Sequence, residues 1–288
     1  MPWPPKDMFV LLAKMNFIAK GIKLPVDWEE LTDKITDPSI PAGRDMYPEA
    51  FKPAERMVPP NSPMNLFREA TPNKYHVGTA KEIGEQYEKF IDGICGAIST
   101  GIGQWMSIAT IVGVNIVGPV GILHPGCVVG PPLMPFILSS APKATPMELK
   151  YSMAVANAIG TMWLPWHIGL TGILSYPAFA AVPAPVAPPM PNIPMPLVTF
   201  SSPGEAGLSP ATLKALMDAN LADPTALHAS DLFDAISKAF DTVFQMFKAT
   251  TLVKNVLGTG PVPTFAPPVV PVGPVLGGIG FGPPGSIS

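Results

Sequence analysis

The sequence is short of charge. Asp, Glu, Lys and Arg make up 14% of its 288 residues, and the net charge is −3. That share is about half of what an ordinary soluble protein carries, roughly 25%. A protein that binds nucleic acid through its phosphates needs a basic surface, and no stretch of this chain provides one. We therefore expect no nucleic-acid partner.

Residues that carry chemistry are also scarce. There are two cysteines, Cys95 and Cys127, and four histidines. At most one disulfide can form, and whether the two cysteines pair stays open. His124 precedes Cys127 by three residues, but a zinc site needs three or four protein ligands. We find no phosphate-binding loop and no nucleophile elbow. We predict that the protein is not an enzyme and has no catalytic, cofactor or metal site.

A secretory leader is missing as well. The first twenty residues, MPWPPKDMFVLLAKMNFIAK, begin with prolines and are interrupted by Lys14 and Lys20. No small-residue cleavage site follows them. We expect the protein to be made in the cytoplasm without a signal peptide.

The missing charge is concentrated in three tracts. Residues 93–142, 151–204 and 255–288 contain no Asp, Glu, Lys or Arg. A soluble surface normally has charges interspersed along it. We therefore expect these tracts to lie against protein, another subunit or lipid.

Proline and glycine are abundant, at 39 and 26 residues. A disordered linker would be proline-rich and polar, whereas this chain is proline-rich and apolar. The stretch VGPPLMP at 129–135 has counterparts at 186–191 and 265–271, each in a charge-free tract. We interpret these stretches as rigid apolar arms. The order of helix, charge-free tract and Pro-Pro segment occurs three times, which leaves open either a degenerate internal repeat or a shared composition.

Sequence signals for the start of a helix precede the first two charge-free tracts. Thr79 and Glu82 have capping-box spacing. Thr145 and Glu148 have the same spacing, with Pro146 at the first helical position. These patterns predict helices that begin after Thr79 and after Thr145.

Two more helices are predicted near the C-terminus. Ser209 and Pro210 mark the start of one, and Ser230 or Asp223 caps the next. The second has a heptad seam of apolar residues, which we predict as a self-association surface. The predicted self-association residues are Phe233, Ile236, Phe240, Val243 and Phe247 of the seam, with Trp105, Trp163 and Trp166 as anchors of a core or an interface.

These patterns predict a mainly α fold. Amphipathic helices are joined by extended Pro/Gly-rich apolar segments, with room for a few short strands. Near the N-terminus, 6–20 and 27–35 are predicted helices and 36–78 an extended arm. The predicted segments are 1–78, helices and arm; 79–142 and 143–206, each a helix with an uncharged tract; and 207–288, a helical hairpin with a C-terminal arm.

The function that fits is a non-enzymatic structural subunit of a large symmetric assembly. We expect a tailed-phage virion component from the tail, baseplate or neck, or a part of a related contractile injection machine. Its partners would be further copies of itself and other structural subunits. The alternative is a membrane-inserting protein that uses the uncharged stretches around 105–123 and 164–187, since the first is long enough to span a bilayer.

Overall fold

The structure, a computed structural model, describes residues 3–20, 72–177, 179, 186–226, 228–262, 265–266, 270–271 and 274–288. Helix accounts for 55% and strand for 21% of this part of the chain. The prediction of a mainly α fold is wrong, because the chain is mixed α/β and contains a seven-stranded antiparallel sheet. The apolar Pro/Gly-rich stretches do not simply connect helices: many of them are strands.

The chain divides into two compact units. The first combines Met1–Phe17 with Ile91–Ser288, and the second is Ile18–Phe90. In the second unit the structure describes residues 18–20 and 72–90. The predicted helix at 27–35 and most of the predicted arm, 36–71, lie outside the described residues. The boundaries of the four predicted segments stay predictions.

The helices of the described residues are α1 Lys6–Ile18, α2 Pro72–Ile108, α3 Met134–Ser140, α4 Pro146–Ile168, α5 Pro210–Leu221 and α6 Ala229–Thr250. Short 3-10 helices cover Leu197–Thr199 and Pro203–Leu208. Residues 72–78, predicted as part of an arm, are helical because α2 begins at Pro72.

One predicted helix start is confirmed in full at α4. The Thr145 side chain accepts a hydrogen bond from the Glu148 backbone, and the Glu148 carboxylate accepts one from the Thr145 backbone. Ser209 is likewise confirmed as the N-cap residue of α5.

Two other predicted starts are wrong. Thr79 lies inside α2, so its capping-box spacing with Glu82 is coincidental. The N-cap residue of α6 is His228, in a left-handed conformation with φ of 59° and without a side-chain cap. Neither Ser230 nor Asp223 has that position, because the tight turn before α6 sets where the helix begins.

The strands are β1 Thr110–Val117, β2 Val120–Leu123, β3 Val128–Val129, β4 Gly172–Ser175, β5 Val186–Pro191, β6 Met195–Pro196, β7 Leu252–Val253, β8 Leu257–Pro261, β9 Phe265–Ala266, β10 Val270–Pro271 and β11 Leu276–Gly282. The large sheet has the order β4-β2-β1-β11-β8-β5, and β3 pairs with β1 beside β2. Every pairing in it is antiparallel. β6 pairs with β7 and β9 with β10.

The three charge-free tracts supply the whole of the large sheet. Its strands β1, β2 and β3 come from 93–142, β4 and β5 from 151–204, and β8 and β11 from 255–288. The sheet therefore assembles three distant parts of the chain that share one property, the lack of formal charge.

Glycines bend this sheet strongly. Gly113 in β1 and Gly277 in β11 have φ of +68° and +66°, and each coincides with a register shift in the β1–β11 ladder. Such bulges increase the local twist and bend of a strand. Gly118, with φ of +63°, starts the two-residue loop between β1 and β2, a position that hairpins of this length commonly give to glycine.

The concave side of the sheet wraps around the ring of Tyr176. A methyl group placed on Gly121 of β2 would lie 2.8 Å from Cε2 of Tyr176, and one on Gly258 of β8 would lie 2.7 Å from Cε1. In a flat sheet, three strand spacings would separate these glycines by about 14 Å. Because both touch the same ring, the sheet is curled nearly into a ring of strands.

The backbone confirms that the curled sheet closes. The Ile193 N–H, just beyond the end of β5, donates to the Ser175 carbonyl at the end of β4 with a distance of 2.7 Å. β5 and β4 are the two outermost strands of the path. The two outermost strands therefore approach each other at these ends, and the six strands of the path curl around Tyr176.

We predict that Gly258→Ala destabilises the protein by about 1–3 kcal/mol, the usual cost of overfilling a packed site. Its methyl group would lie 2.5 Å from Cδ1 of Ile116 and 2.7 Å from the Tyr176 ring. Urea unfolding followed by circular dichroism measures the change.

Gly103→Ala is the matched control, since a methyl group there meets nothing within 4 Å. In helix α2 it should raise the free energy of unfolding by ~0.5–1 kcal/mol. Equal effects of the two substitutions would contradict the close packing described for the curled sheet.

Candidate interaction surface

The convex side of the curled sheet, called here the outer face, exposes large apolar side chains. Ile279 is 64% exposed, Ile173 59% and Phe281 48%. No strand of the sheet contains Asp, Glu, Lys or Arg. The exposed apolar residues on its strands are Val117, Ile122, Val129, Ile173, Val186, Leu257, Leu276, Ile279 and Phe281.

Strand register aligns these residues into rows across the sheet. Ile173 of β4 is opposite Ile122 of β2, Ile122 is opposite Asn115 of β1, and Asn115 is opposite Ile279 of β11. Phe281 is opposite Leu257 of β8. Directly opposed side chains on one face lie close enough to contact each other, so the outer face carries rows of apolar residues, interrupted at Asn115 in the middle row.

Asn115 is the polar member of the middle row. It is exposed, and its amide makes no hydrogen bond with any other residue that the structure describes. An exposed amide satisfies its donors and acceptors in water at little cost, so Asn115 is compatible with solvent. It also has both a donor and an acceptor to offer a partner.

The edges of the sheet are unsuited to pairing with another strand. β5 contains Pro188, Pro189 and Pro191, and proline has no N–H to donate to a ladder. Beside β4, the backbones of Thr171 and Ser201 exchange two hydrogen bonds, and the Ile193 N–H occupies the Ser175 carbonyl. Of the sheet, the surface that remains for association is therefore the outer face.

The residues predicted for self-association lie elsewhere. All eight are at most 1% exposed and pack inside the helical part of the same chain. The Trp3 ring lies 5.2 Å from Phe247 and 5.9 Å from Phe240, and Phe9 lies 6.4 Å from Phe240. The α6 seam thus has intramolecular partners, and its self-association stays a prediction.

The three predicted tryptophans form one cluster. The Trp105 and Trp163 rings meet edge to face at 5.3 Å, and Trp163 lies 4.5 Å from Trp166. Trp166 continues the cluster to Phe244 at 5.1 Å. Edge-to-face pairs add about 0.5–1.5 kcal/mol beyond area burial. This cluster joins α2, α4 and α6, so the anchor residues hold the helices together.

A groove of about 810 Å³ lies beside this helical core. Its lining includes Pro4 and Pro5, Met106 of α2 and Ile287 near the C-terminus, with Lys6 as its charged member among the described residues. The described residues of its lining do not include a cluster of titratable side chains.

His167 is buried beside the tryptophan cluster. Its Nδ1 lies 2.9 Å from the Trp163 carbonyl oxygen, and its ring centre lies 5.0 Å from that of Trp105. A carbonyl only accepts, so Nδ1 carries the proton. Burial, partly offset by the hydrogen bond to Trp163, lowers the pKa of His167 below its ordinary value.

Neither cysteine belongs to a candidate metal centre among the described residues. Cys95 and Cys127 are both buried and unpaired with each other. The Cys127 Sγ accepts a hydrogen bond from the His124 backbone at 3.2 Å. Within the described part of the chain, no three His, Cys, Asp or Glu residues are grouped so that they could hold a metal ion.

Sequence reasoning missed the outer face, although a signal for it exists. The runs IVGVNIV in β1 and LGGIGFG in β11 alternate between buried and exposed residues, as half-buried strands do. In β11 the buried positions are glycines, which hide the usual apolar pattern. The run 105–123 is also uncharged and long enough to span a bilayer, a property that does not indicate strands.

Among the described residues, no helix has the length and apolar character that crossing a membrane requires. The stretch 105–123 comprises the end of α2, β1 and β2, and 164–187 includes the end of α4, β4 and the start of β5. No protein-family model, curated protein or solved structure matches the chain.

We predict that protonation of His167 destabilises the fold. In the unfolded chain its pKa is about 6.5, and in the folded protein it is lower. As the pH is lowered below 6.5, the unfolded state therefore binds more protons than the folded state. The free energy of unfolding decreases as the pH is lowered, and the decrease stops once the pH is below the pKa of His167 in the folded protein. Urea unfolding at several pH values between about 7.5 and 5, on both sides of the unfolded-state pKa of histidine, measures this loss.

His167→Gln removes the titrating group and should flatten this part of the pH profile, whatever it costs in stability. His124→Gln, at an exposed histidine, is the control and should keep the wild-type slope. A slope that persists in His167→Gln would contradict the assignment.

Proposed function

We propose that this protein is a non-enzymatic structural subunit of a large symmetric assembly. The class we favour is the tailed-phage virion, in its tail, baseplate or neck, or a related contractile injection machine. The observation that carries the proposal is the outer face of the curled sheet, which is charge-free on every strand and exposes nine large apolar side chains.

The size of this surface is that of a functional apolar patch. At roughly half exposure each, nine such side chains present on the order of 500 Å² of apolar surface. That is about as large as the biggest apolar patch on an ordinary monomer, which spans roughly 300–600 Å² and is often functional. Isolated exposed apolar residues need no explanation, but a continuous charge-free face calls for a partner.

The backbone of the sheet is suited to a rigid contact. The curled sheet closes through the Ile193 to Ser175 hydrogen bond, and prolines stiffen β5. A surface that is already rigid loses little conformational entropy when a partner binds. Small apolar contacts can therefore yield useful affinity, as repeated contacts between subunits require.

The charges of the chain lie on other surfaces. Lys150 pairs with Asp223 at 3.3 Å, and Lys214 pairs with Asp218 at 2.8 Å. Both pairs involve helices or their connecting turn. A helical body with ordinary surface charges keeps the protein soluble before assembly, while the outer face supplies the contact. We propose cytoplasmic synthesis without a signal peptide, and a mature location in the particle.

Gradient sedimentation of a lysate from the native source, after nuclease treatment and without detergent, tests the proposal. The protein should sediment with a particle many times heavier than its own 30.4 kDa. Carbonate should release any of it that pellets with membranes, because its contacts are with protein subunits.

Two results would overturn the proposal. Recovery in a membrane pellet that resists carbonate would favour the lipid-contact alternative for the same apolar surface. Recovery as a free chain of 30.4 kDa, with none in a heavy particle, would remove the assembly role altogether. A soluble cytosolic enzyme from the same lysate is the control: it should remain in the light fractions, and its presence in the heavy fractions would indicate incomplete fractionation.

A further inference from the structure

The groove beside the helical core has the dimensions of a ligand site. Its volume of about 810 Å³ lies within the range of small-molecule sites, roughly 300–1,000 Å³. Its α2 wall runs from Ser99 to Ser107, a length of about 12 Å at 1.5 Å per residue. Gly103 lies in this wall, and a methyl group on it would meet nothing within 4 Å. The middle of the α2 wall therefore faces open space.

The walls of the groove are fixed by contacts within the fold. The Trp3 ring lies 5.2 Å from that of Phe247 in α6, and its indole N–H donates to the Ser99 hydroxyl at 3.2 Å. Met106 and Ile287, the other large apolar side chains of the lining, are at most 5% exposed. A site whose walls are already ordered loses little conformational entropy when a ligand binds.

A single cation lies at one end of the groove. Lys6 is the charged member of the lining among the described residues. A methyl group on Gly96 would lie 2.8 Å from its Cε and 3.2 Å from its Nζ, so the side chain lies across α2 just before Ser99. Lys6 makes no hydrogen bond or ion pair with any other residue that the structure describes. A ligand with a negative group at this end would give the ammonium a partner.

The walls favour an alkyl chain over a peptide. The backbone groups of α2 at this level are paired within the helix, and Pro4 and Pro5 have no N–H to donate. The Ser288 backbone already exchanges two hydrogen bonds with Leu252. A peptide would therefore leave many of its own N–H and C=O groups unpaired against these walls, at a cost in free energy. An alkyl chain has no such groups.

We propose that this groove binds a single-chain carboxylate amphiphile, the chemical class of the fatty acids. The alkyl chain lies along the α2 wall against Met106 and Ile287. The carboxylate lies at the Gly96 end and accepts a hydrogen bond from the Lys6 ammonium. This ligand site goes beyond the assembly role proposed above and does not depend on it.

Isothermal titration calorimetry with sodium dodecanoate, below its micelle concentration and without detergent, tests the proposal on the purified protein. The wild type should bind one dodecanoate per chain. Each methylene removed, in decanoate and octanoate, should raise the Kd about fourfold. Dodecyltrimethylammonium, which has a cationic head on an alkyl chain of the same length, should bind more weakly because its head would face Lys6.

Gly103→Leu tests the location of the alkyl chain. The new side chain would fill the open space at the middle of the α2 wall and should raise the Kd for dodecanoate about tenfold or more, since buried methylenes supply the affinity. Leu is a better helix former than Gly, so the variant should fold. Gly103→Ala is the matched control and should keep most of the affinity. Dodecanoate that binds Gly103→Leu as tightly as the wild type would place the site elsewhere and overturn the proposal.

Lys6→Gln tests the carboxylate end. It should raise the Kd for dodecanoate about two- to fivefold, the range of an exposed ion pair, without raising that for dodecyltrimethylammonium. Lys143→Gln removes an exposed lysine that is not in the lining, and it should leave both constants unchanged. An unchanged Kd for dodecanoate in Lys6→Gln would overturn the carboxylate assignment.

A wild type without saturable dodecanoate binding would overturn the ligand site altogether. That result would leave the assembly role standing, because the sedimentation experiment follows the mass of the particle and not the content of the groove.

Discussion

The close packing of glycine-bearing strands around the Tyr176 ring determines the form of the sheet. Gly121, Gly258 and Gly280 approach the ring so closely that a methyl group on any of them would lie about 3 Å or less from it. Side chains at these positions would force the strands apart and flatten the sheet. With glycine there, the sheet curls until Ile193 reaches Ser175. Burial raises the pKa of Tyr176 to about 12, in keeping with a ring enclosed by apolar groups.

In β11 this arrangement reverses the usual placement of apolar side chains. In most sheets the concave or covered side carries the bulky residues, and the solvent side is polar. Here glycine occupies much of the inside, while Ile279 and Phe281 point outward from the same strand that contributes Gly278, Gly280 and Gly282 to the interior. Because β11 alternates in this way, the apolar side chains that a core would normally contain are exposed on the outside of the sheet.

The helical part of the molecule follows ordinary rules, and the sequence predicted much of it. The Thr145–Glu148 capping box forms as expected because both partners are local. The heptad spacing of Phe233, Phe240 and Phe247 correctly marks one face of α6. The spacing does not show whether that face of α6 packs against another chain or against other residues of the same chain. In the fold, Trp3 and Phe9 cover it from more than 200 residues away, a pairing that no local pattern encodes.

The sequence by itself determined where charge is absent, where several helices begin and which residues are apolar enough for a core or an interface. Only the tertiary structure decided that the three charge-free tracts are strands of one sheet and which side of each strand faces outward. The physical reason is that glycine and proline have no strong local preference for a strand. Their conformation is set by hydrogen bonds to distant segments, as between Val114 and Gly280 or Met190 and Gly258, and by how near a ring such as Tyr176 can come.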